Sequence, residues 1–504
     1  DVCSCLRRYS SCGFRECYGT SAWTTDNQKL VHLHQRHNCK CKHPRCNIPL
    51  MLSASPAVPP ESGLNDGDND PWKISQSASP IMLAYEHDAT GREHQQRGAL
   101  NAAVSSFSEA LSCHPSPDRH FRLGLALMEN GEPQSAIDSF LSAREMAAED
   151  DFTLRHDVSL KMAHCWSNDL GNASRGIREV DAALSERGYE DSAPALDRKA
   201  FFVAAEGNFD EAIRLWDAAL LGCDGSGSSD DDAKKRVSEL GEDVDDDARF
   251  FRASAEDLMG SRDEAEEDFA ALPSDREYMV DSWRYVAAHP PTSSLESKDN
   301  GTDDGWRSQI FSGTHANLAS ALSASRPDGL VCEFGVFHGK SIRLIASMVS
   351  DDEIIVDGFD TFDGIPEDWG KYAAGSYTAA SEVPVVPKNV RFHVGLFADT
   401  LPGYVASLAP AEKLPVRFVN VDCDLYGGTV DILKHLAPRI GPGTVIIFDE
   451  YLMNSTWRED EHRAWKEACE EFGWEYEYLS FSLFSKQVVV RVTESESFVG
   501  PLPR

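Results

Sequence analysis

Seven short apolar runs, separated by longer amphipathic stretches, constrain the fold of this chain more than any other feature. The runs are rich in Val, Ile and Phe and occupy positions 330–334, 354–359, 390–394, 416–421, 444–448, 476–481 and 487–492. Runs of this length with amphipathic segments between them are typical of strands covered by helices on both faces of a sheet. The pattern predicts a doubly wound α/β domain over residues 306–493, with a seven-stranded, mostly parallel sheet.

Glycine and acidic residues follow these runs. Glu333 ends the first run and is followed by Gly335, Gly339 and Ser341. The two glycines permit a tight turn that brings the backbone close to a ligand, and a glutamate accepts hydrogen bonds from a cationic group. Since ligands bind at the carboxyl ends of the strands in such sheets, we expect this turn to line a binding site.

The second and third runs add two acids. Asp360 follows the second run, where a carboxylate can accept hydrogen bonds from both hydroxyls of a ribose. Asp399 follows the third run, in a position to meet an adenine amino group. Together these residues predict a nucleoside-containing ligand.

The fourth and fifth runs end in a larger group of acids, in which Asp422, Asp449 and Glu450 come from adjacent strand ends. Packing like charges this closely is costly unless a hard divalent cation such as Mg²⁺ neutralises them. We therefore expect Asp422, Asp449 and Glu450 to hold magnesium. The alternative is that these acids cap helices or face water.

Taken together, the segments 333–341, 359–366, 422–426 and 448–451 resemble the macrocin O-methyltransferase (TylF) family of class I S-adenosylmethionine-dependent enzymes. The resemblance covers roughly residues 306–493 and implies a Rossmann-like fold with S-adenosylmethionine as cofactor. It implies that Glu333, Gly335 and Gly339 surround the methionine part of the cofactor and that Asp360 binds its ribose. In magnesium-dependent members the fifth strand ends in two aspartates, where this chain has Asp449 and Glu450.

The chemistry of methyl transfer suggests a role for Asp422. A sulfonium methyl group is already activated, so the enzyme mainly holds the acceptor oxygen in line with it. The acceptor hydroxyl must lose a proton, and we expect Asp422 to take it as general base, assisted by a divalent ion that lowers the hydroxyl pKa. His462 is the alternative base. The expected acceptor is a sugar or a small natural-product-like molecule.

A second pattern precedes this domain. A glycine is followed by a small residue, a large apolar residue and again a small residue at helical spacings, in copies that begin at Gly98, Gly131, Gly171, Gly207 and Gly260. This spacing predicts helical hairpins with the glycine in the turn, and it resembles tetratricopeptide repeats. We expect repeats over residues 81–288, which either bind a protein partner or brace the neighbouring domain.

The remaining segments are poor in large apolar residues. We expect linkers at 51–80 and 289–305, a solvated acidic loop at 222–247 and a tail at 494–504. Residues 1–50 hold seven of the 13 cysteines together with four histidines. This segment is open to three interpretations: it is disordered or non-native, it binds Zn²⁺, or it forms disulfides.

Charge restricts the partners. Acidic residues number 83 and basic residues 48, for a formal net charge of −35, which disfavours binding to nucleic acid or anionic membranes. We expect a cytoplasmic protein, although the chain begins at Asp1 and leaves open whether a leader precedes it. The alternative function is a repeat scaffold whose C-terminal domain is degenerate or only senses the cofactor.

Overall fold

Paired helices fill the first half of the computed structural model, which describes residues 79–223, 231–291, 305–349, 354–410 and 414–500. Within these ranges five helical hairpins follow each other, and one further helix ends the array. The pairs are α1 (Pro80–Gln96) with α2 (Leu100–Cys113), α3 (Pro117–Glu129) with α4 (Pro133–Met146), α5 (Phe152–His164) with α6 (Ala173–Leu184), α7 (Ala193–Ala205) with α8 (Phe209–Cys223) and α9 (Asp231–Met259) with α10 (Arg262–Ala271), before α11 (Glu277–Ala288).

Small residues explain how the helices pair. Ala103, Phe107 and Ala110 of α2 are buried, as the repeat pattern predicts. Gly91 of α1 faces the ring of Phe107, and a Cβ atom at Gly91 would lie 2.6 Å from that ring. Each hairpin turns at one of the five predicted glycines, all with positive φ, a conformation that glycine adopts without steric cost. The predicted helical repeats are confirmed.

The acidic segment 222–247 differs from its prediction. Helix α9 begins at Asp231, so the part from residue 231 onwards is helical and not a loop. Val237, Leu240, Val244, Ala248 and Phe251 follow each other in the sequence at spacings of three and four. This apolar stripe continues unbroken into the buried part of the helix and outweighs the local density of like charge.

The second half is an α/β domain, called the sheet domain below. Its described residues form one seven-stranded sheet of order β3-β2-β1-β4-β5-β7-β6, in which β1 to β5 are parallel and β7 is antiparallel to its neighbours. The predicted fold class is confirmed. The strands are β1 (Leu330–Phe334), β2 (Val356–Asp360), β3 (Val390–Val394), β4 (Val416–Val421), β5 (Val445–Phe448), β6 (Trp474–Phe481) and β7 (Val488–Ser495).

Helices lie between the strands and before them. Strands β1, β4 and β5 are almost completely buried, as expected for the centre of a sheet covered on both faces. The helices are α12 (Gly305–Gln309), α13 (Thr314–Ala324), α14 (Lys340–Met348), α15 (Phe397–Ser407), α16 (Tyr426–Leu436) and α17 (Glu461–Phe472).

The repeats pack directly on the sheet domain, and residues 80–504 form a single compact unit. The rings of Phe201 and Phe484 lie 4.5 Å apart between centroids. The hydroxyls of Tyr285 and Tyr478 are 2.6 Å apart. The repeats therefore brace the neighbouring domain, one of the two expected roles, while a protein partner for them stays a prediction.

Several predicted segments fall outside the described residues. They are the Cys/His-rich segment 1–50, the linker 51–80 apart from its last two residues, and most of the linker 289–305. The predictions of zinc or disulfides in the first segment therefore stay predictions. Among the described helices, none is long and apolar enough to cross a membrane.

Candidate functional site

The turn after β1 brings the ends of two strands into contact. Gly335 has a φ of 89° and lies against the carbonyl group of Asp422, so that any Cβ atom at this position would collide with the backbone. The amide of Asp422 donates a hydrogen bond of 2.8 Å to the carbonyl of Phe334. Only glycine fits this close approach, which fixes the position of Asp422 beside the turn.

Asp360 holds the same turn from the end of β2. Its Oδ2 atom accepts hydrogen bonds from the amides of Val336 and Phe337 at 2.6 and 2.7 Å. Its Oδ1 atom accepts one from the amide of Phe362 at 2.7 Å. A carboxylate offers about four acceptor positions, so it retains room for a further donor such as a ribose hydroxyl. The structure thus gives Asp360 a loop-organising role that sequence analysis missed.

Glu333 lies in β1 and is completely buried. Its Oε1 atom accepts a hydrogen bond of 2.8 Å from Nδ2 of Asn420, the residue beside it in β4. Burial raises the pKa of Glu333 to about 8, although hydrogen bonds from Ser341 and Asn420 lower it. Ser341, predicted to bind the cofactor, therefore contacts Glu333 in this structure.

A group of five carboxyl side chains follows β4 and β5, and we call it the acidic group: Asp422, Asp424, Asp449, Glu450 and Glu461. Burial raises the pKa of Asp422 well above its ordinary value, and the charges of Asp449 and Asp424 add to the shift. Burial, then the charge of Glu450, raises the pKa of Asp449 to about 7. Adjacent strand ends thus bring together acids that are distant in the sequence, as predicted for Asp422 and Asp449.

Two residues before β7 bind this group from one side. Nζ of Lys486 lies 3.2 and 3.3 Å from the two carboxylate oxygens of Glu450. Nε2 of Gln487 donates a hydrogen bond of 2.6 Å to Oδ1 of Asp449. The positive charge of Lys486 also lowers the pKa of both acids.

The predicted magnesium site does not form in this arrangement. Within the ranges described, no three His, Cys, Asp or Glu side chains are grouped so that they could hold a metal ion. Glu450 is directed to Lys486, and the ammonium group supplies the positive charge that was expected from the metal. Asp422, Asp449 and Glu450 are therefore neighbours but not a ligand set.

An aromatic cluster lies beside the acidic group in the segment after β2. The stacked rings of Trp369 and Tyr372 are 5.5 Å apart, and Tyr377 packs 5.1 Å from Tyr372. Nε1 of Trp369 donates a hydrogen bond of 2.9 Å to Oδ2 of Asp460. Burial raises the pKa of Tyr377, and the charges of Asp424 and Glu450 contribute, so this ring is close to the acids.

The two remaining candidates occupy different surroundings. Asp399 is exposed in the first turn of α15, beyond the end of β3, and β3 pairs with β2 along its whole length. His462 packs between the rings of Tyr285, Tyr451 and Trp457 at centroid distances of 4.9 to 5.2 Å. Burial lowers the pKa of His462 to about 4. Its neutral ring therefore packs among these three aromatic rings.

Sequence analysis missed several members of the site. Asp424 belongs to the group of acids expected after the fourth run, but Asn420 was missed, and its position two residues before Asp422 was the available signal. The tryptophan and two tyrosines of the aromatic cluster were visible only as part of a variable segment. Lys486 and Gln487 carried no local signal, because only the sheet order places them beside β5. Glu461 carried none either, because it reaches the group from the start of α17, where its carboxylate accepts a hydrogen bond from the amide of Glu450.

Comparison with known proteins matches the part of the chain that forms this site to a methyltransferase domain. Residues 332–451 match a family profile described as a methyltransferase domain. The matched range includes the Gly335 turn, Asp360 and most of the acidic group. The expectation of a methyltransferase domain in the C-terminal part of the chain is confirmed.

Named relatives match the same part of the chain. The 8-demethyl-8-(2,3-dimethoxy-alpha-L-rhamnosyl)-tetracenomycin-C 4'-O-methyltransferase of Streptomyces olivaceus is 31% identical over 164 residues, which cover 27% of this chain and 58% of that protein. Mycinamicin III 3''-O-methyltransferase of Micromonospora griseorubida is 30% identical over 162 residues, covering 27% and 61%. This chain thus spans less than two thirds of the length of these relatives.

A solved structure of the O-methyltransferase NovP is also similar. It is 24% identical, the match covers 37% of this chain and 83% of that chain, and the TM-score is 0.29.

Proposed function

We propose that this protein is an S-adenosylmethionine-dependent O-methyltransferase acting on a hydroxyl group of a sugar or a small natural-product-like acceptor. The observation that carries the proposal is the meeting, at one edge of the sheet, of the Gly335 turn, Asp360 and the acidic group around Asp422. Both named relatives are O-methyltransferases, and one name includes a rhamnosyl group. This supports a hydroxyl acceptor.

In this proposal the cofactor lies along the carboxyl ends of β1 and β2. The Gly335 turn leaves room for it, Glu333 and Ser341 lie beneath its methionine part, and Asp360 accepts a hydrogen bond from its ribose. Asp399 meets the adenine. When bound, S-adenosylmethionine supplies an activated methyl group, and the protein's task is to hold the acceptor oxygen in line with it.

Asp422 acts as general base in the proposed mechanism. A carboxylate with a raised pKa is a stronger base than an ordinary aspartate, and burial beside Asp449 gives Asp422 that property. With its proton taken by Asp422, the acceptor oxygen would be the nucleophile toward the methyl group that a bound cofactor supplies, and the bond from that methyl group to sulfur would break as the new C–O bond forms. The aromatic cluster of Trp369, Tyr372 and Tyr377 offers apolar rings against which an acceptor can pack.

Magnesium has no step in this mechanism. Lys486 and Gln487 already bind Glu450 and Asp449, so the three carboxylates predicted as ligands do not fit a metal ion as they are arranged. We therefore expect transfer to persist in the presence of a chelator. A requirement for Mg²⁺ would contradict this mechanism and support the predicted magnesium site.

The test is calorimetric titration of S-adenosylmethionine into the full chain and into an Asp360→Ala variant. We expect micromolar binding to the full chain and at least about tenfold weaker binding to the variant, because the change removes both the ribose acceptor and the brace of the turn. Asp181→Ala, an exposed change in the repeats, is the matched control. No binding to the folded full chain would overturn the proposal and favour the scaffold function.

A further inference from the structure

The turns of the five hairpins differ in what they touch. The turn glycines of the first three hairpins lie against the sheet domain: Gly98 against Thr378, Gly131 against Lys340 and Arg343, and Gly171 against His315. A Cβ atom at Gly207 or Gly260, in the last two turns, would meet nothing within 4 Å. The same repeat position is thus a contact in one half of the array and open in the other.

The turn of the second hairpin, at Gly131, touches the residues that follow the turn after β1. A Cβ atom at Gly131 would lie 2.8 Å from Cα of Lys340 and 2.8 Å from Nη1 of Arg343. Lys340 is the first residue of α14, directly after Gly339. The repeat domain therefore reaches the residues that close the predicted cofactor turn.

Arg343 connects three segments at this point. Its Nη1 atom donates hydrogen bonds of 2.7 Å to the carbonyl of Asn130 and 3.0 Å to the carbonyl of His338. Its Nε atom donates one of 2.9 Å to the carbonyl of Val385. One side chain thus joins the second hairpin turn, the turn after β1 and the segment that follows the aromatic cluster.

The third hairpin adds an ion pair to the same helix end. Nζ of Lys340 lies 2.6 Å from Oδ1 of Asp169, whose side chain is only 1% exposed. Asp169 ends a π-helical turn, Cys165–Asp169, that follows α5. Such turns are rare and occur often at functional sites.

We propose that Arg343, together with the Asn130–Gly131 turn and Asp169 of the repeats, positions the turn after β1 for binding S-adenosylmethionine. This inference rests on the proposed function and assigns the repeat domain a part in it. We assign Arg343, Asn130, Gly131 and Asp169 as positioning residues, since each is proposed to act through its contacts with Lys340, His338 or Arg343.

The physical reason lies in the strain of this turn. Phe337 has a φ of 51°, a conformation that costs a residue other than glycine free energy and persists only where the surroundings hold it. Hydrogen bonds from Arg343 and the close contact with Gly131 supply such surroundings from the repeat side. Without them the turn has more conformations to lose when the cofactor binds, so affinity falls.

The chain offers a matched pair of variants for the test. Gly131→Ala and Gly207→Ala place a methyl group at the same position of two hairpins, at φ values of 72° and 83°. Both carry a similar backbone strain of about 1 kcal/mol, but only the first pushes on Lys340 and Arg343. We expect calorimetry to show about tenfold weaker binding of S-adenosylmethionine to Gly131→Ala and less than twofold change in Gly207→Ala.

A second variant covers the case in which Gly131→Ala does not fold. Arg343→Met removes the hydrogen bonds that this side chain donates and leaves the sequence of the hairpin turn unchanged. We expect about tenfold weaker cofactor binding, with Arg343→Lys restoring part of the affinity through its charge and donors. Asp281→Asn, which removes an exposed ion pair with Arg458 elsewhere in the contact between repeats and sheet domain, should leave binding unchanged.

The outcomes separate this inference from the proposed function. Binding to the wild type that is weakened by Gly131→Ala and Arg343→Met, and by neither control, supports the inference. Binding that is equally strong in all variants overturns it and leaves the proposed function standing. A wild type that does not bind overturns both.

Discussion

Two buried acids of the repeats have different partners from two buried acids at the carboxyl edge of the sheet. In the repeats, Asp88 is 1% exposed and binds Nε of Arg119 at 2.9 Å. Asp268 binds Arg252 through two hydrogen bonds of 2.7 Å. At the edge of the sheet, Asp422 and Asp424 instead have other carboxyl groups as their nearest charges.

We expect the acids with an arginine partner to contribute to stability and the acids packed against each other to contribute to function. A buried acid with an arginine partner holds two helices together through its hydrogen bonds. Acids packed against each other carry raised pKa values, and such perturbed groups concentrate at sites that perform chemistry. The comparison therefore predicts that substitutions in the two regions will have opposite effects on activity and on folding.

The largest expected effect is on methyl transfer. Asp422→Asn keeps the shape of the side chain but removes the base, so the transfer rate should fall by about 10²- to 10⁴-fold. Cofactor binding should change little, because the contact of Gly335 with the backbone of Asp422 is retained. Single-turnover kinetics together with calorimetry checks both. Loss of cofactor binding together with transfer would mean that Asp422 is structural.

A stability effect of intermediate size is expected in the repeats. Asp88→Asn leaves Arg119 buried without its carboxylate and should lower the free energy of unfolding by about 3 kcal/mol. Asp281→Asn breaks an ion pair whose partners are 42 and 49% exposed, and should cost less than about 1 kcal/mol. Thermal and denaturant unfolding measure both, and methyl transfer should survive in each. Equal losses would show that burial does not distinguish the two pairs.

A pH-dependent gain in stability is also expected. The pKa of Glu333 is about 8 in the folded chain, against an ordinary value of 4.5, so the folded state binds one proton more between these pH values. The wild type therefore loses stability as pH rises from about 4.5 to 8. Glu333→Gln removes this loss, and its thermal midpoint should exceed that of the wild type by a few degrees at pH 8 and by less at pH 5.

A constant difference across this pH range would contradict the raised pKa of Glu333. The same variant should bind S-adenosylmethionine more weakly, because Glu333 is a predicted cofactor residue. The two measurements together distinguish a functional acid, which destabilises the fold, from a structural one.

The sequence predicted the helices and strands more completely than it predicted the site. All seven strands were predicted within three residues at either end, because each is a short apolar run bounded by polar segments. The hairpins followed from the glycine and alanine spacing. Helix α9 was the exception, since the run of aspartates concealed an apolar stripe that extends from Val237 to Phe251.

The site was predicted less completely. Glu333, Gly335, Asp360 and Asp422 were predicted as site residues because they stand at or just after strand ends, and their roles stay predictions. Lys486 was missed because it is 36 residues away from its partner Glu450 in the sequence. For the same reason the sequence did not reveal that a cation from the turn between β6 and β7 lies beside the expected magnesium ligands, whose role stays a prediction.

The sequence by itself determined the local structures and the order of the strand-end motifs, because periodicity and turn residues act over a few positions. Only the tertiary structure decided which charges neutralise one another and which turns of the repeats support the turn after β1. Contacts such as Arg343 with Asn130 and Lys340 with Asp169 join segments far apart in the chain. They depend on how two domains pack, and no local pattern in the sequence encodes that packing.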